Sequence, residues 1–156
     1  LASFLTLIPS GAAKDNRLLD LSPEQLKQSL LSIDESADRL SYSAEVRCTP
    51  FAERIITSKH VKVWGCYYNV MDLNPVGDVL LCDVLDVKLG NILEDGGPES
   101  WKKLYSRRVD MGLLDWENLE GKCLTCPVRG FCLGGCRARA YLATGSFFKP
   151  DPLCPF

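Results

Sequence analysis

The first stretch of the chain switches between two hydrophobic periods. Phe4-Leu5-Thr6-Leu7-Ile8 is a short apolar run closed by Pro9-Ser10-Gly11, the pattern of a buried strand and its turn. From residue 22 the period lengthens. Ser22 suits an N-cap, Pro23 the first helical position and Gln25 the third member of a capping box. Leu26, Leu30, Ile33, Ala37 and Leu40 then recur at steps of four and three, which predicts one helix with a single apolar stripe. Ala44-Glu45-Val46-Arg47 reads as a second short strand. Strand, helix and strand in that order make a βαβ-like unit, the building block of parallel sheets and barrels.

Farther along, the elements shorten. Residues 70–73 and 79–81 flank Asn74-Pro75-Val76-Gly77-Asp78, which predicts a β-hairpin with a glycine-bearing loop. Leu89-Gly90-Asn91-Ile92 is another turn signal. Residues 98–116 read as mainly helical, with Trp101, Leu104, Tyr105 and Leu113 as packing residues. From Gly121 onward cysteine and glycine dominate. The expected fold class is α+β.

Composition narrows the function. With 156 residues, 46% hydrophobic and 24% charged, the chain can build one ordinary globular core. Its 18 basic and 20 acidic side chains leave a net charge of −2, so no basic field exists to grip nucleic acid or an anionic membrane. The apolar opening, Leu1 to Ile8, is too short to span a bilayer and lacks the basic flank of a signal peptide. An opening residue of Leu1 rather than methionine is expected of a piece of a longer or processed chain. The expected compartment is a reducing cytoplasm.

The number that changes the picture is the cysteine count of 8. It is too low for a disulfide miniprotein, in a chain long enough not to need staples. Cys66 is followed by ten residues, Gly77, four residues and Cys82. After a gap come Cys123-x2-Cys126-x5-Cys132-x3-Cys136, and after another, Cys154. A CxxC turn sets two sulfurs on one side of a metal centre, and distant segments must supply the others. Cys66 and Cys82 stand at the two ends of the expected hairpin. Glycines 130, 134 and 135 let the backbone turn tightly around a bulky inorganic core. From spacing alone, structural zinc and iron–sulfur clusters both remain open.

This order resembles the seven-cysteine SPASM domain that follows the barrel of many radical S-adenosylmethionine (SAM) enzymes and binds auxiliary iron–sulfur clusters. Leu89-Gly90-Asn91-Ile92 is similar to the family's glycine–asparagine–hydrophobic turn. Cys132-Leu133-Gly134-Gly135-Cys136-Arg137-Ala138 resembles its GGC-R-A segment, and Asp151-Pro152-Leu153-Cys154-Pro155 its last ligand. The resemblance covers residues 66–154.

The resemblance implies two four-iron, four-sulfide (4Fe–4S) clusters. Cys123, Cys126, Cys132 and Cys154 would hold one, and Cys66, Cys82 and Cys136 three corners of the other. Cys48 is the local candidate for the remaining corner. Residues 1–50 would be the last strands and helix of a partial (β/α) barrel, with the loop at Pro9-Ser10-Gly11 on the substrate side. Residues 51–156 would be the SPASM domain, built on a β-hairpin and short helices. The SAM-cleaving motif C-x3-C-x2-C is missing: Cys132 and Cys136 have the first spacing, but Arg139 stands where the third cysteine is needed. The chain's role is therefore expected to be that of the C-terminal part of a radical SAM oxidoreductase. Such an enzyme would modify a peptide, protein or tetrapyrrole precursor, with an electron donor such as a ferredoxin or flavodoxin. Two other classes stay open, a structural zinc module and a small iron–sulfur electron carrier.

Plainer expectations attach to the remaining residues. His60 reads as a surface or packing residue, and Trp64, Trp101 and Trp116 as core or lid aromatics. Arg137 and Arg139 read as helix-surface charges, with tuning of an anionic cluster as the alternative. Lys102, Lys103, Arg107 and Arg108 read as a solvated face. Asp78 and Asp83 read as turn and strand-end residues.

Overall fold

A computed structural model describes residues 1–66 and 70–156, with Arg17 as main chain only. Among these residues it is an α+β fold with two small sheets and five α-helices.

The βαβ unit forms. β1 (Ala2–Leu5) and β2 (Ala44–Arg47) pair in parallel, with Phe4 opposite Val46. Between them runs α1 (Pro23–Leu40). Its start is the expected capping box: the Gln25 N–H donates to Ser22 Oγ at 3.1 Å, and the Ser22 N–H to Gln25 Oε1 at 2.8 Å. Its stripe is buried at Leu26, Leu30 and Ala37, whereas Leu40 is exposed because the helix ends there, in the left-handed Ser41. β1 is shorter and earlier than the expected run. Thr6, Leu7 and Ile8 leave the strand, and Ile8 turns into a second core.

A third parallel strand, β3 (Val61–Val63), joins the free side of β2, so the sheet draws strands from both sides of residue 50. β2 is thereby central, and Ala44, Glu45 and Val46 are all buried. The first core gathers Leu26, Leu30, Ala37, Val46, Phe51, Ile55 and Val61, and includes Cys132. Asp34, facing it from α1, is satisfied by the main-chain N–H groups of Thr57 and Ser58 at 2.8–3.1 Å.

The second sheet is antiparallel, β4 (Asp72–Leu73), β5 (Asp78–Cys82) and β6 (Leu85–Asn91) in that order. The expected hairpin is β4–β5. Asn74 Oδ1 accepts the N–H groups of Val76 and Asp78, and Gly77 takes φ +83°. Leu89-Gly90-Asn91-Ile92 is not a free turn. It is the end of β6, with Asn91 capping α2 (Ile92–Asp95) through the Leu93 N–H at 2.9 Å.

The expected helix is α3 (Gly97–Asp110). Leu104 and Leu113 are buried as expected, but Trp101 and Tyr105 are exposed. Arg108 departs from the expected solvated face: it is buried and donates to the carbonyls of Val70 and Leu81. Two short helices follow, α4 (Arg129–Cys132) and α5 (Arg137–Thr144). Among the described residues, no helix is long and apolar enough to cross a membrane.

Candidate metal centre

All eight cysteines are free thiols, brought together from five places in the chain. Cys48 follows β2 with a left-handed backbone at φ 57°, a conformation rare outside glycine. Its carbonyl accepts from Arg139 Nη2 at 2.9 Å, which ties the end of the parallel sheet to α5. Cys66 lies beyond β3 and Cys82 ends β5. Cys123, Cys126 and Cys132 sit along the tight turns that lead through α4, Cys136 caps α5, and Cys154 lies in the tail.

The principal thiol neighbours of each sulfur fall into two sets. Cys136 acts on the charge of Cys48 and of Cys66, and Cys66 on that of Cys82. Cys154, Cys123 and Cys126 act on Cys132, and Cys126 acts on Cys123 and Cys154. Burial is the first cause that pushes these thiols up, Cys48 to about 11 and Cys66 and Cys132 to about 12. Cys82, Cys123, Cys136 and Cys154 move the same way for the same reason. Without a metal, these sulfurs are held as neutral thiols.

Their surroundings are nevertheless built for negative sulfur. Nearby main-chain N–H groups favour the charged form of five of them: that of Arg137 at Cys66, Val84 at Cys82, Gly135 at Cys132, Arg139 at Cys136, and Phe156 at Cys154. The Arg139 N–H lies 3.4 Å from Cys136 Sγ. Soft sulfur donors with N–H groups directed at them match the chemistry of thiolate-held clusters.

The loop between Cys132 and α5 can take this shape only with its glycines. Gly134 and Gly135 have φ +83° and +93°, and a Cβ at Gly134 would fall 2.5 Å from the Arg137 guanidinium. A Cβ at Gly135 would collide with Asp151. Asp151 is fully buried and joins the tail to the start of α5. Its Oδ2 accepts the Cys136 N–H at 2.8 Å, and its two oxygens take Arg139 Nε and Nη2 at 2.8 and 2.7 Å. Arg137 and Arg139 are therefore not helix-surface charges; they are 1% and 2% exposed. A pattern of alternating charge on a short helix reads as solvated until the return of the tail over it is known. In the sequence Asp151 belongs only to the segment that resembles the family's last ligand, and nothing there marks it as a counter-ion.

Asp83 is also more than a strand-end residue. Asp72, Cys82 and Asp83 offer ligand atoms within 4.8 Å of one another, and Asp72 is raised, mainly by burial. Asp78 keeps its turn role, bonded to Asn74, Asn91 and Lys88. His60 is half-buried and donates its main-chain N–H to Ser58. Trp64 donates to Glu45 Oε2 at 2.8 Å under Lys62, while Trp101 and Trp116 are exposed. A cavity of about 490 Å³ opens beside Arg139, lined by Thr6, Leu7 and Pro9 after β1 and by Leu142 and Leu153 opposite, with Lys14 at its margin.

The sequence is 30% identical to an AdoMet-dependent heme synthase of Methanosarcina barkeri over 167 aligned positions, covering 95% of this chain and 46% of the relative. An AdoMet-dependent heme synthase of Oleidesulfovibrio alaskensis is 25% identical, across 96% of this chain and 42% of its own length. A PqqA peptide cyclase of Streptomyces rochei is 32% identical over 58% of this chain and 25% of its own. The chain thus spans less than half the length of the curated relatives it matches. No family model and no solved structure matches it.

Proposed function

The chain carries the SPASM region of a radical SAM enzyme of the maturation and cofactor-biosynthesis type, and on that premise we propose that it binds two auxiliary 4Fe–4S clusters. Cys123, Cys126, Cys132 and Cys154 would hold one, and Cys66, Cys82, Cys136 and Cys48 the other. The observation that carries this reading is the division of the thiols into two neighbour sets, with main-chain N–H groups directed at sulfurs in both. Bound clusters would supply one-electron transfer.

The protein's own residues prepare the place. The N–H groups and the nearby guanidinium of Arg139 favour the anionic form of the sulfurs. The glycine turns let the chain fold back without side-chain bulk. Structural zinc fits this geometry less well. A tetrahedral zinc about 2.3 Å from each sulfur would hold the sulfurs about 3.8 Å apart. Among the described residues, no three thiols lie within 4.8 Å of one another.

At the level of the whole enzyme, residues 1–50 would close a partial (β/α) barrel, and residues 51–156 would follow it as the cluster domain. The parallel β1–α1–β2 unit supports the barrel reading. SAM and the cluster that cleaves it would be held by residues outside 1–156. The substrate class is a peptide, protein or tetrapyrrole precursor, and the tetrapyrrole stands first because the heme synthases align along nearly the whole chain. The cavity between the loop after β1 and α5 supports a substrate-facing role for Pro9-Ser10-Gly11. Electrons would pass to or from a carrier such as a ferredoxin or flavodoxin, in a reducing cytoplasm.

Anaerobic reconstitution with iron and sulfide tests the cluster reading. The expected result is about eight irons and as many sulfides per chain, with a broad brown absorbance. Stoichiometric zinc without acid-labile sulfide would overturn it in favour of the zinc module.

A further inference from the structure

Arg137 and Arg139 stand two positions apart at the start of α5, and both are buried, but their charges are treated differently. Arg139 is neutralised by Asp151, which lies against it through two hydrogen bonds. Arg137 pairs with no carboxylate among the described residues, and the three residues outside them, Tyr67, Tyr68 and Asn69, are not acidic. Its guanidinium instead donates to the carbonyls of Gly134, Gly135, Phe147 and Lys149.

Those four carbonyls satisfy the donors and fix the guanidinium in place, but a carbonyl dipole does not cancel a full charge. A buried cation without a counter-ion is strongly disfavoured. The groups around Arg137 able to become anionic are thiols, and they come from both sets. Its guanidinium is bonded to the Gly134–Gly135 turn, which joins Cys132 of one set to Cys136 of the other, and its charge acts on Cys66 of one set and on Cys123 of the other. Gly134 is the cost of this placement, since any side chain there would displace the guanidinium.

We propose that the Arg137 guanidinium is the shared counter-cation of the two cluster sites, a positioning charge that raises the reduction potential of both. This rests on the cluster reading above. One-electron reduction adds a negative charge to a cluster already bound by thiolates. A fixed cation in a low-dielectric interior favours that more negative state. The carbonyl fork fixes the charge on the turn between Cys132 of one set and Cys136 of the other. Asp151 offsets the charge of Arg139, which acts on Cys48 and Cys136 of one set alone, so the two neighbouring arginines have separate roles.

The test is a potentiometric titration of the reconstituted protein, read by electron paramagnetic resonance, for wild type, Arg137→Gln and Arg137→Lys. Iron and sulfide content and the Tm of the metal-free protein are measured alongside. The expected result is that Arg137→Gln lowers both midpoint potentials, while Arg137→Lys restores most of each shift. Full loading of Arg137→Gln with both potentials unchanged overturns the proposal, and a shift in only one cluster overturns the sharing. Where Arg137→Gln fails to load, Arg137→Lys decides. Wild-type potentials in a loaded lysine variant support the charge role. Shifted potentials, or failure of the lysine variant to load as well, assign Arg137 to the carbonyl fork alone and overturn it. Failure of the wild-type protein to take up iron and sulfide would instead sink the cluster reading itself.

Discussion

In the parallel region, Leu26, Leu30 and Ala37 of α1 share one apolar cluster with Val46 of β2 and with Phe51, Ile55 and Val61. In the cysteine-rich region, the deepest large side chains include Arg137 and Asp151, and the apolar cluster there reduces to Ile8, Leu85, Cys136 and Ala138. The first region excludes water by packing hydrocarbon. The second buries charge and neutral thiols in a framework of short helices and glycine turns. It depends on hydrogen bonds within the protein and, in the proposed function, on metal. A core of the first kind stabilises a fold by itself. A core of the second kind can be loaded, and it leaves sulfur and charge where chemistry needs them.

The comparison can be broken most severely at Asp151. Asp151→Ala removes the carboxylate paired with buried Arg139 and the acceptor of the Cys136 N–H. Stripping one partner from a buried pair is expected to cost about 3–5 kcal/mol. Denaturant unfolding should show the loss, and iron retained per chain should fall with it. A variant that unfolds at the wild-type midpoint would mean that the ion pair does not support the loop.

Leu30→Ala probes the other side. It empties a fully buried site on α1 and is expected to cost about 2–5 kcal/mol. Iron per folded chain should stay unchanged. Equal loss of iron in this variant would show that the two regions are not energetically distinct.

A smaller effect tests the local signals of α1. Ser22→Ala removes the acceptor for the Gln25 N–H and should lower stability by about 1 kcal/mol, without touching the thiols. Thermal melts of the reconstituted protein should show a lower Tm with an unaltered cluster absorbance.

Acid sharpens the contrast last. Hydrogen bonds from Arg47, Ser3 and Trp64 hold the Glu45 carboxyl down from 4.5 to about 2. A carboxyl lowered in the folded state stabilises it above the unfolded pKa, and that contribution is lost as pH falls from about 4.5 to about 2. Glu45→Gln should flatten the stability of the metal-free protein against pH across that window. An unchanged acid slope would assign the sensitivity elsewhere, with Asp78, also held near 2, as the next group to test.

Legibility followed the range of the interactions. α1 was readable because its capping box and its stripe are complete within nineteen residues. β2 was readable from end to end, and the hairpin from Asn74 and Gly77. β3 and β6 gave no clear signal. Val61–Val63 is only three residues long, and β6 carries Asp86, Lys88 and Gly90 in an irregular pairing with β5. Trp101 and Tyr105 were misplaced because size and apolarity say little about which face of α3 meets the sheet. The eight cysteines were legible as a set by their spacing. Which charges share their interior was not, since Asp151 meets Arg139 across twelve positions and Cys48 meets it across ninety-one.

The sequence by itself determined the α1 helix, the βαβ order, the hairpin and the cysteine scheme, because each is encoded by neighbours or by a fixed spacing. Only the tertiary structure decided that Arg137 and Arg139 are buried, that one of them is neutralised and the other is not, and that Asp72 lies beside Cys82 and Asp83. Those outcomes depend on desolvation, and a side chain is desolvated only when distant segments close over it. Here they are the tail that returns through Asp151 and the left-handed turn at Cys48.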